Sequence, residues 1–100
     1  MGTLIVAVSG EAAITEFCKR YATARKPLAR FLGIARIAAW FSSVEVKQSY
    51  PSVDYAAATG VLIFDIGGNK YRLIARVDFE EQMVYIESVM THEQYNRENL

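Results

Sequence analysis

The chain has few residues that ligate metals or form disulfides: Cys18 is its single cysteine and His92 its single histidine. A lone cysteine excludes an intramolecular disulfide, and a cysteine and a histidine so far apart match no zinc-ligand spacing. The sequence also lacks a glycine-rich phosphate loop of the nucleotide-binding types. We therefore expect no metal and no cofactor, and we expect Cys18 to be a small buried side chain.

Net charge is lacking too, because 11 Lys and Arg balance 11 Asp and Glu. Domains that bind nucleic acid through bulk electrostatics are usually clearly basic, so composition alone argues against that class. The charges are unevenly distributed, since residues 1–50 carry seven cations and three acids whereas residues 51–100 carry four cations and eight acids. A basic surface therefore requires a fold that gathers the cations of the first half.

Long apolar runs are absent, since none approaches the roughly 18–20 residues of a membrane span. Thr3–Val8 is too short for a signal-peptide core and has no basic flank. The hydrophobic fraction of 52% nevertheless suits a folded chain with one core. We expect one soluble, cytoplasmic domain over residues 1–100, with no membrane contact.

Hydrophobic patterning predicts an α+β fold that begins with a strand at Thr3–Val8. Ser9 is the predicted N-cap of the first helix. Apolar side chains at helical spacing mark the buried face of that helix: Ile14, Phe17, Cys18 and Tyr21. Pro27 suits the first turn of a second helix that reaches Ala39 or Trp40. Its predicted buried face consists of Leu28, Phe31, Leu32 and Ala35.

The two helices are expected to pair antiparallel and to carry most of the cations of the first half. These are Lys19, Arg20, Arg25, Lys26, Arg30 and Arg36. They fit either solvated helix faces or a surface that contacts RNA or the ribosome. Next, Ser42 or Ser43 could cap a short helix through Tyr50, and Ser52–Gly60 is expected to be a loop.

Three strands joined by short turns complete the predicted fold as an antiparallel meander whose apolar face the two helices cover. The predicted strands are Val61–Ile66, Lys70–Asp78 and Met83–Met90. Gly67, Gly68 and Asn69 supply the positive-φ residues of the first hairpin. A polar reversal at Phe79–Gln82 forms the second turn, and a short helix follows the last strand.

The middle strand alternates with a period of two residues, which places successive side chains on opposite faces. The apolar, core-facing set is Tyr71, Leu73, Ala75 and Val77. The other face is a row of cations interrupted by one isoleucine: Lys70, Arg72, Ile74 and Arg76, ending at Asp78. Arginine forks and a lysine charge bind phosphates, so this face is a candidate RNA-binding surface.

His92 and Tyr95 lie one helical turn apart just after the last strand and should face the same side. A histidine that titrates near neutral pH can exchange a proton with a ribose 2′-OH or a leaving 5′-oxygen. With the cations of the sheet these residues supply the parts for metal-independent phosphodiester cleavage. The same pattern also fits the charged outer face of a half-exposed sheet and a capping histidine.

Several segments together resemble a known family over nearly the whole chain. They are Thr15–Phe17, Ala39–Trp40, Val44–Pro51, Phe64–Leu73, Val84–Ile86 and Thr91–Tyr95. The sequence GNKYRL at Gly68–Leu73 and the sequence THEQY at Thr91–Tyr95 are the most specific. Through them the chain resembles the HigB-type toxins of bacterial type II toxin–antitoxin systems, which are relatives of RelE.

The resemblance implies a RelE-like fold, with an antiparallel sheet packed on one face by two N-terminal helices and a short C-terminal helix. It implies an endoribonuclease, or mRNA interferase, that cleaves mRNA, often during translation on the ribosome. It also implies neutralisation by a cognate helix-turn-helix antitoxin of the HigA type. The toxin–antitoxin complex would repress its own operon, so operator DNA is contacted only through that complex.

Carried onto this sequence, the resemblance and the face argument assign His92 as general acid or base and Tyr95 as substrate positioner or proton-transfer aid. Arg72, helped by Lys70 and Arg76, is the predicted phosphate and transition-state binder. We expect His92→Ala or Arg72→Ala to abolish growth inhibition while leaving the protein folded. The neutral net charge supports an alternative, a binding module that holds an antitoxin or RNA without cutting it. A small-molecule-binding domain is a third interpretation, with no further polar cluster to support it.

Overall fold

The computed structural model describes residues 7–56 and 58–98 as an α+β fold. The strands are β1 (Ala7–Ser9), β2 (Asp54–Ala56), β3 (Val61–Ile66), β4 (Tyr71–Asp78) and β5 (Met83–Thr91). The helices are α1 (Glu11–Arg20), α2 (Arg25–Ala38), α3 (Ser43–Ser49) and α4 (His92–Glu98), with a 3-10 turn at Ala22–Ala24. The predicted strands and helices occur in the predicted order, with β2 as an additional strand between α3 and β3. The first residues of the predicted strand Thr3–Val8 lie outside the described residues.

The strands form one sheet in the order β1-β5-β4-β3-β2. The meander of β3, β4 and β5 is antiparallel as predicted, and β2 adds antiparallel to β3. The prediction of a purely antiparallel sheet is wrong, because β1 pairs in parallel with β5. The prediction that Ser52–Gly60 is entirely loop is also wrong, because β2 lies within it. Both errors concern edge strands: the pairing of β1 with β5 joins residues far apart in the sequence, and β2 has three residues, too few to show a period.

The main core lies between the first three helices and one face of the sheet. The buried side chains from the helices and their connections are Ile14, Cys18, Ala24, Leu28, Phe31, Ala35, Trp40 and Val46. They pack with Leu62, Phe64, Ile66, Tyr71, Leu73, Ala75, Val84 and Ile86 of the sheet. The predicted helix faces and the predicted core face of β4 are therefore confirmed, with Phe17, Tyr21 and Leu32 only partly buried. Cys18 is buried and is a free thiol, as expected.

A second, smaller apolar cluster lies on the opposite face of the sheet. Its buried members are Val61, Ile63, Ile74 and Met90, and Ala56 and Tyr95 pack against it. The pairing of β4 with β5 is irregular between Ile74 and Ala75, so Glu87 is an extra residue of β5 at this point. Such a bulge changes which side chains of the strand face the core, which explains why Ile86 and Met90 belong to different clusters.

The turns follow the sequence in most respects. Ser42 caps α3 by accepting a hydrogen bond from the Glu45 backbone N–H, as predicted, and Gly67 and Gly68 both have positive φ. The predicted Ser9 cap of α1 is wrong, because Gly10 occupies that position with φ 91° and no side chain caps the helix. Among the described residues, no helix is long and apolar enough to cross a membrane.

Candidate functional site

The candidate site is built around Arg72, which lies on the face of the sheet opposite the main core. In the β3–β4 hairpin Ile66 pairs with Tyr71, so four residues form the loop and Asp65 lies directly across from Arg72. The Asp65 Oδ1 to Arg72 Nε distance is 3.1 Å. Arg72 is only 7% exposed, so the expectation of a cation standing in solvent does not describe this side chain.

Both terminal nitrogens of the Arg72 guanidinium have hydrogen-bond partners within the protein. Nη1 donates to the backbone oxygens of Asn69 and Tyr71 at 3.4 and 3.1 Å. Nη2 donates to Asn69 Oδ1 at 2.7 Å and lies 2.7 Å from His92 Nδ1. These contacts use the four N–H groups of Nη1 and Nη2, and Nε lies in the ion pair with Asp65. Arg72 is thus held in one orientation by the hairpin in which it lies.

His92 is placed by the start of α4. The Thr91 hydroxyl accepts from the Gln94 backbone N–H at 3.1 Å, and Gln94 Oε1 accepts from the Thr91 backbone N–H at 2.9 Å. This reciprocal pair is a capping box, and it accounts for the spacing of threonine and glutamine in THEQY. The His92 backbone N–H also donates to the Lys70 carbonyl at 2.8 Å, which ties the helix start to the end of the hairpin.

Tyr95 lies against Arg72 on the same side as His92, as its spacing of one turn predicted. The Arg72 guanidinium carbon is 5.6 Å from the centre of the Tyr95 ring, within cation–π range. Tyr95 also packs against the small apolar cluster that contains Ile74. The structure therefore brings Arg72, His92 and Tyr95 together, although this placement does not test the roles predicted for them.

The other two predicted residues stand apart from this group. Lys70 is exposed at the end of the hairpin loop, and its own backbone carbonyl accepts the hydrogen bond from the His92 N–H. Arg76 lies four residues along β4 from Arg72, a separation of about 13 Å in an extended strand. It pairs with Glu87 at the bulge and donates to the Thr59 carbonyl, and its side chain is 49% exposed. Lys70 is exposed and lies two residues from Arg72 along the chain, nearer in sequence than Arg76.

Asp65 and Asn69 belong to the site, and sequence reasoning did not find them. The signal was present in the hairpin, because a four-residue loop from Gly67 to Lys70 pairs Asp65 with Arg72. A strand that starts at Lys70, as predicted, shifts this pairing. Asn69 was predicted only as a turn residue, although its side chain and its carbonyl both accept hydrogen bonds from Arg72.

The arrangement offers cationic charge and a histidine at the edge of a sheet face that the main helical layer leaves open. Arg72 supplies a positive charge beside His92 and Tyr95, and the exposed Lys70 ammonium is at the rim. Within residues 7–56 and 58–98, no group of three or more His, Cys, Asp or Glu is placed to hold a metal ion. The chemistry open to the described side chains is proton transfer and stabilisation of an anion.

Two comparisons with known proteins found matches. The family model described as HigB_toxin, the RelE-like toxic component of a toxin-antitoxin system, matches residues 24–98. The mRNA interferase toxin HigB of Escherichia coli K12 is 40% identical over 52 residues. The mRNA interferase HigB proteins of Escherichia coli O157:H7 and Shigella flexneri show the same identity. Each alignment covers 51% of this chain, and the chain spans about half (50%) of the length of these curated relatives.

Proposed function

Since the chain belongs to the family of HigB toxins, we propose that it is an endoribonuclease that cleaves mRNA, the toxin of a type II toxin–antitoxin pair. The observation that carries this proposal is the group formed by Arg72, His92 and Tyr95. The group joins a cation, a histidine and a phenol on one face of the sheet. The curated relatives named as mRNA interferases support the same activity. Residues 1–100 act in this proposal as one RelE-like toxin domain.

The proposed reaction is attack of a ribose 2′-OH on the neighbouring phosphorus, which releases the 5′-oxygen of the next nucleotide. His92 is the proton-transfer residue, acting as general acid or base at these oxygens. The positive charge of Arg72 stabilises the extra negative charge of the phosphorane, and Lys70 binds the scissile phosphate or its neighbour. Tyr95 positions the nucleotide, and Arg76 holds the RNA farther along the sheet. The reaction uses no metal ion.

The partners follow from the proposed activity. The substrate is mRNA, cleaved in association with translation on the ribosome. A cognate helix-turn-helix antitoxin of the HigA type neutralises the toxin, and operator DNA is reached only through the toxin–antitoxin complex. The place of action is the cytoplasm, where mRNA and ribosomes are found. The family description as a toxic component of a toxin-antitoxin system supports the antitoxin partner.

A specific observation favours a second candidate, a binding module that no longer cuts RNA. The four N–H groups of Arg72 Nη1 and Nη2 have partners within the protein and Nε is paired with Asp65, so the guanidinium predicted to bind phosphate is already in use. The net charge of zero also gives little electrostatic attraction to RNA. In this alternative the fold and the antitoxin-binding surface persist, and Arg72 is a structural residue.

An RNA cleavage assay with His92 variants separates the two functions. We expect the purified protein to cut mRNA in the presence of EDTA, and we expect His92→Ala to lower the rate by about 100-fold or more. Glu93→Gln, which changes the exposed neighbouring residue of α4, is the matched control and should cut at the wild-type rate. The assay is run with naked mRNA and with translating ribosomes.

Three other outcomes would each contradict part of the proposed function. Tight antitoxin binding without cleavage, with and without ribosomes, would establish the binding module. Wild-type cleavage by folded His92→Ala would remove histidine from the mechanism. Cleavage that stops in EDTA and returns with a divalent cation would contradict the metal-independent reaction.

A further inference from the structure

The Arg72 guanidinium stands between a carboxylate and an imidazole. On one side Asp65 Oδ1 lies 3.1 Å from Nε, and on the other His92 Nδ1 lies 2.7 Å from Nη2. The Arg72 side chain is 9% exposed and that of Asp65 is 27% exposed, so water has little access to this chain of contacts. Asn69 Oδ1 accepts from the same Nη2 that faces His92, at 2.7 Å.

The contact with Arg72 determines where His92 carries its proton. A guanidinium can only donate hydrogen bonds, because it has no free lone pair and stays protonated at physiological pH. His92 Nδ1 must therefore be the acceptor in this contact, and the neutral ring carries its hydrogen on Nε2. The hydrogen bond made by one ring nitrogen sets the state of the other, as is general for histidine.

We propose, on the premise of the ribonuclease function above, that Asp65 and Asn69 are positioning residues of the site. They hold Arg72 so that its Nη2 fixes both the ring orientation and the tautomer of His92. His92 then donates a hydrogen bond from Nε2 to the phosphoryl oxygen that gains charge, while water accepts the 2′-OH proton and supplies a proton to the leaving 5′-oxygen. Abstraction of a proton at Nε2 would require the ring to leave Arg72 and change tautomer. For His92 the proposal thus replaces the role of general acid or base with that of a hydrogen-bond donor that stabilises the transition state.

Nuclear magnetic resonance can test this directly, because His92 is the only histidine of the chain. In protein labelled with ¹⁵N in histidine and arginine, we expect a single neutral tautomer with a protonated Nε2. We also expect resolved Arg72 Nη signals and a scalar coupling between Arg72 Nη2 and His92 Nδ1 across the hydrogen bond. Exposed arginines rotate and exchange too fast to give such signals.

Variants distinguish positioning from a general effect on the fold. Asn69→Ala alters an exposed loop residue and should remove the coupling to His92 without unfolding the protein. Asp65→Ala should do the same, whereas Asp65→Asn keeps an oxygen acceptor for Arg72 Nε and should retain the coupling. Asp54→Ala, which removes an exposed carboxylate from β2, is the matched control and should leave every signal of the site unchanged.

Kinetics give the second readout. Asn69→Ala and Asp65→Ala should lower kcat for RNA cleavage roughly tenfold to hundredfold and change KM by less than about twofold, because misplacement of the donor affects the transition state most. Asp65→Asn should recover most of the kcat. A wild-type His92 protonated on Nδ1, or an unchanged coupling in Asn69→Ala, would overturn the proposal. Failure of the wild-type protein to cleave RNA would overturn the ribonuclease function alone, since the coupling needs no RNA.

Discussion

Arg72 is the buried charge on which the site depends. Among the described residues Arg72 is the one charged residue that is buried, with 7% of its surface exposed. Its charge is balanced by Asp65, and its remaining donors end on loop and helix residues of the site. A side chain in this position links the fold to the site, so changing it alters both.

Arg72→Ala should therefore be less stable than the wild type, contrary to the expectation from sequence that the variant stays fully folded. Removal of one partner of a buried ion pair leaves the Asp65 carboxylate uncompensated, and we expect a decrease of about 3 kcal/mol in the free energy of unfolding. Urea denaturation measures this quantity. His92→Ala, which removes a partly exposed ring, is the control and should be destabilised much less. Equal stability of both variants would contradict a structural role for Arg72.

The sequence placed Arg72 on the correct face of β4 but could not show its burial. Alternation of side chains depends only on the strand, so the two faces were predictable from residues Lys70 to Asp78. Burial depends on what comes to lie against the strand, and here that is Asp65 from β3 and Tyr95 from α4. These contacts depend on the register of the β3–β4 hairpin and on the direction of α4. Local sequence patterns do not determine either of them.

Tyr50 provides a pH-dependent test of packing at a single residue. Burial against Phe31 and Phe64 raises the pKa of the Tyr50 phenol above its ordinary 10.0, and the nearby Arg30 charge opposes this only in part. The unfolded chain therefore releases the Tyr50 proton at a lower pH than the folded chain does. Stability from this residue is complete below about pH 10 and falls as the pH rises further.

Tyr50→Phe should remove this pH dependence, because phenylalanine does not titrate. Denaturation from pH 8 to pH 11 is expected to show a wild-type stability that declines more steeply than that of Tyr50→Phe. Tyr55→Phe, which changes an exposed tyrosine of β2, is the matched control and should follow the wild type. Parallel curves for all three proteins would show that Tyr50 is as well solvated when folded as when unfolded.

At the scale of the elements, the connection from β1 into α1 lies very close to the backbone of β5. Gly10 has φ 91°, and a Cβ added there would lie 2.4 Å from the Ile86 carbonyl oxygen of β5. Gly33, inside α2, has nothing within 4 Å of an added Cβ. A side chain at position 10 would collide with the backbone of β5, so glycine is required there. At position 33 there is room for a side chain, so glycine is not required.

Alanine substitution should therefore change stability in opposite directions at the two positions. Gly33→Ala should stabilise the protein by about 0.5–1 kcal/mol, because alanine favours a helix and loses less backbone freedom. Gly10→Ala should destabilise it by about 3 kcal/mol or more, since the added Cβ displaces the backbone of β5 or of the turn. Thermal unfolding followed by circular dichroism measures both. A stable Gly10→Ala protein would show that the β1–α1 connection can move away from β5.

The elements themselves were predictable to different degrees for physical reasons. The helices α1 and α2 and the strands β3 to β5 have local periods or turn signals, and all five were predicted. The parallel pairing of β1 with β5 joins strands at opposite ends of the described chain, and no local pattern records it. The strand β2 exists through its pairing with β3, and its three residues carry no alternation of their own.

At the scale of the whole molecule, the uneven charge of the sequence becomes a difference between two sides. The helices α1 and α2 pack on the main core face of the sheet, whereas the candidate site lies on the opposite face. The exposed cations of the helical side include Lys19, Arg20, Arg25, Lys26 and Arg30. Lys70 and Arg76 are the exposed cations on the site side of β4, and Arg76 is paired with Glu87.

This separation predicts that the affinity for free mRNA and the affinity for the ribosome depend differently on salt concentration. Binding of single-stranded mRNA at the site uses at most three cations of β4 and its loop, so log K should fall against log salt concentration with a slope of about −2. A ribosome presents RNA on more than one side of a bound protein of this size. Cations of the helices then bind further phosphates, and the slope for ribosome binding should be clearly steeper.

Lys26→Gln combined with Arg30→Gln tests the role of the helical side, because both residues are exposed on α2, four positions apart. We expect unchanged cleavage of naked mRNA but weaker ribosome binding, with a salt slope shallower by about one for each phosphate that the variant no longer binds. Arg97→Gln, which removes an exposed cation from α4, is the matched control. Unchanged ribosome affinity in the double variant would assign the basic helix faces to solvent. Translation-associated cleavage would then have to depend on the site face alone, where the exposed Lys70 is tied to His92 through its backbone carbonyl.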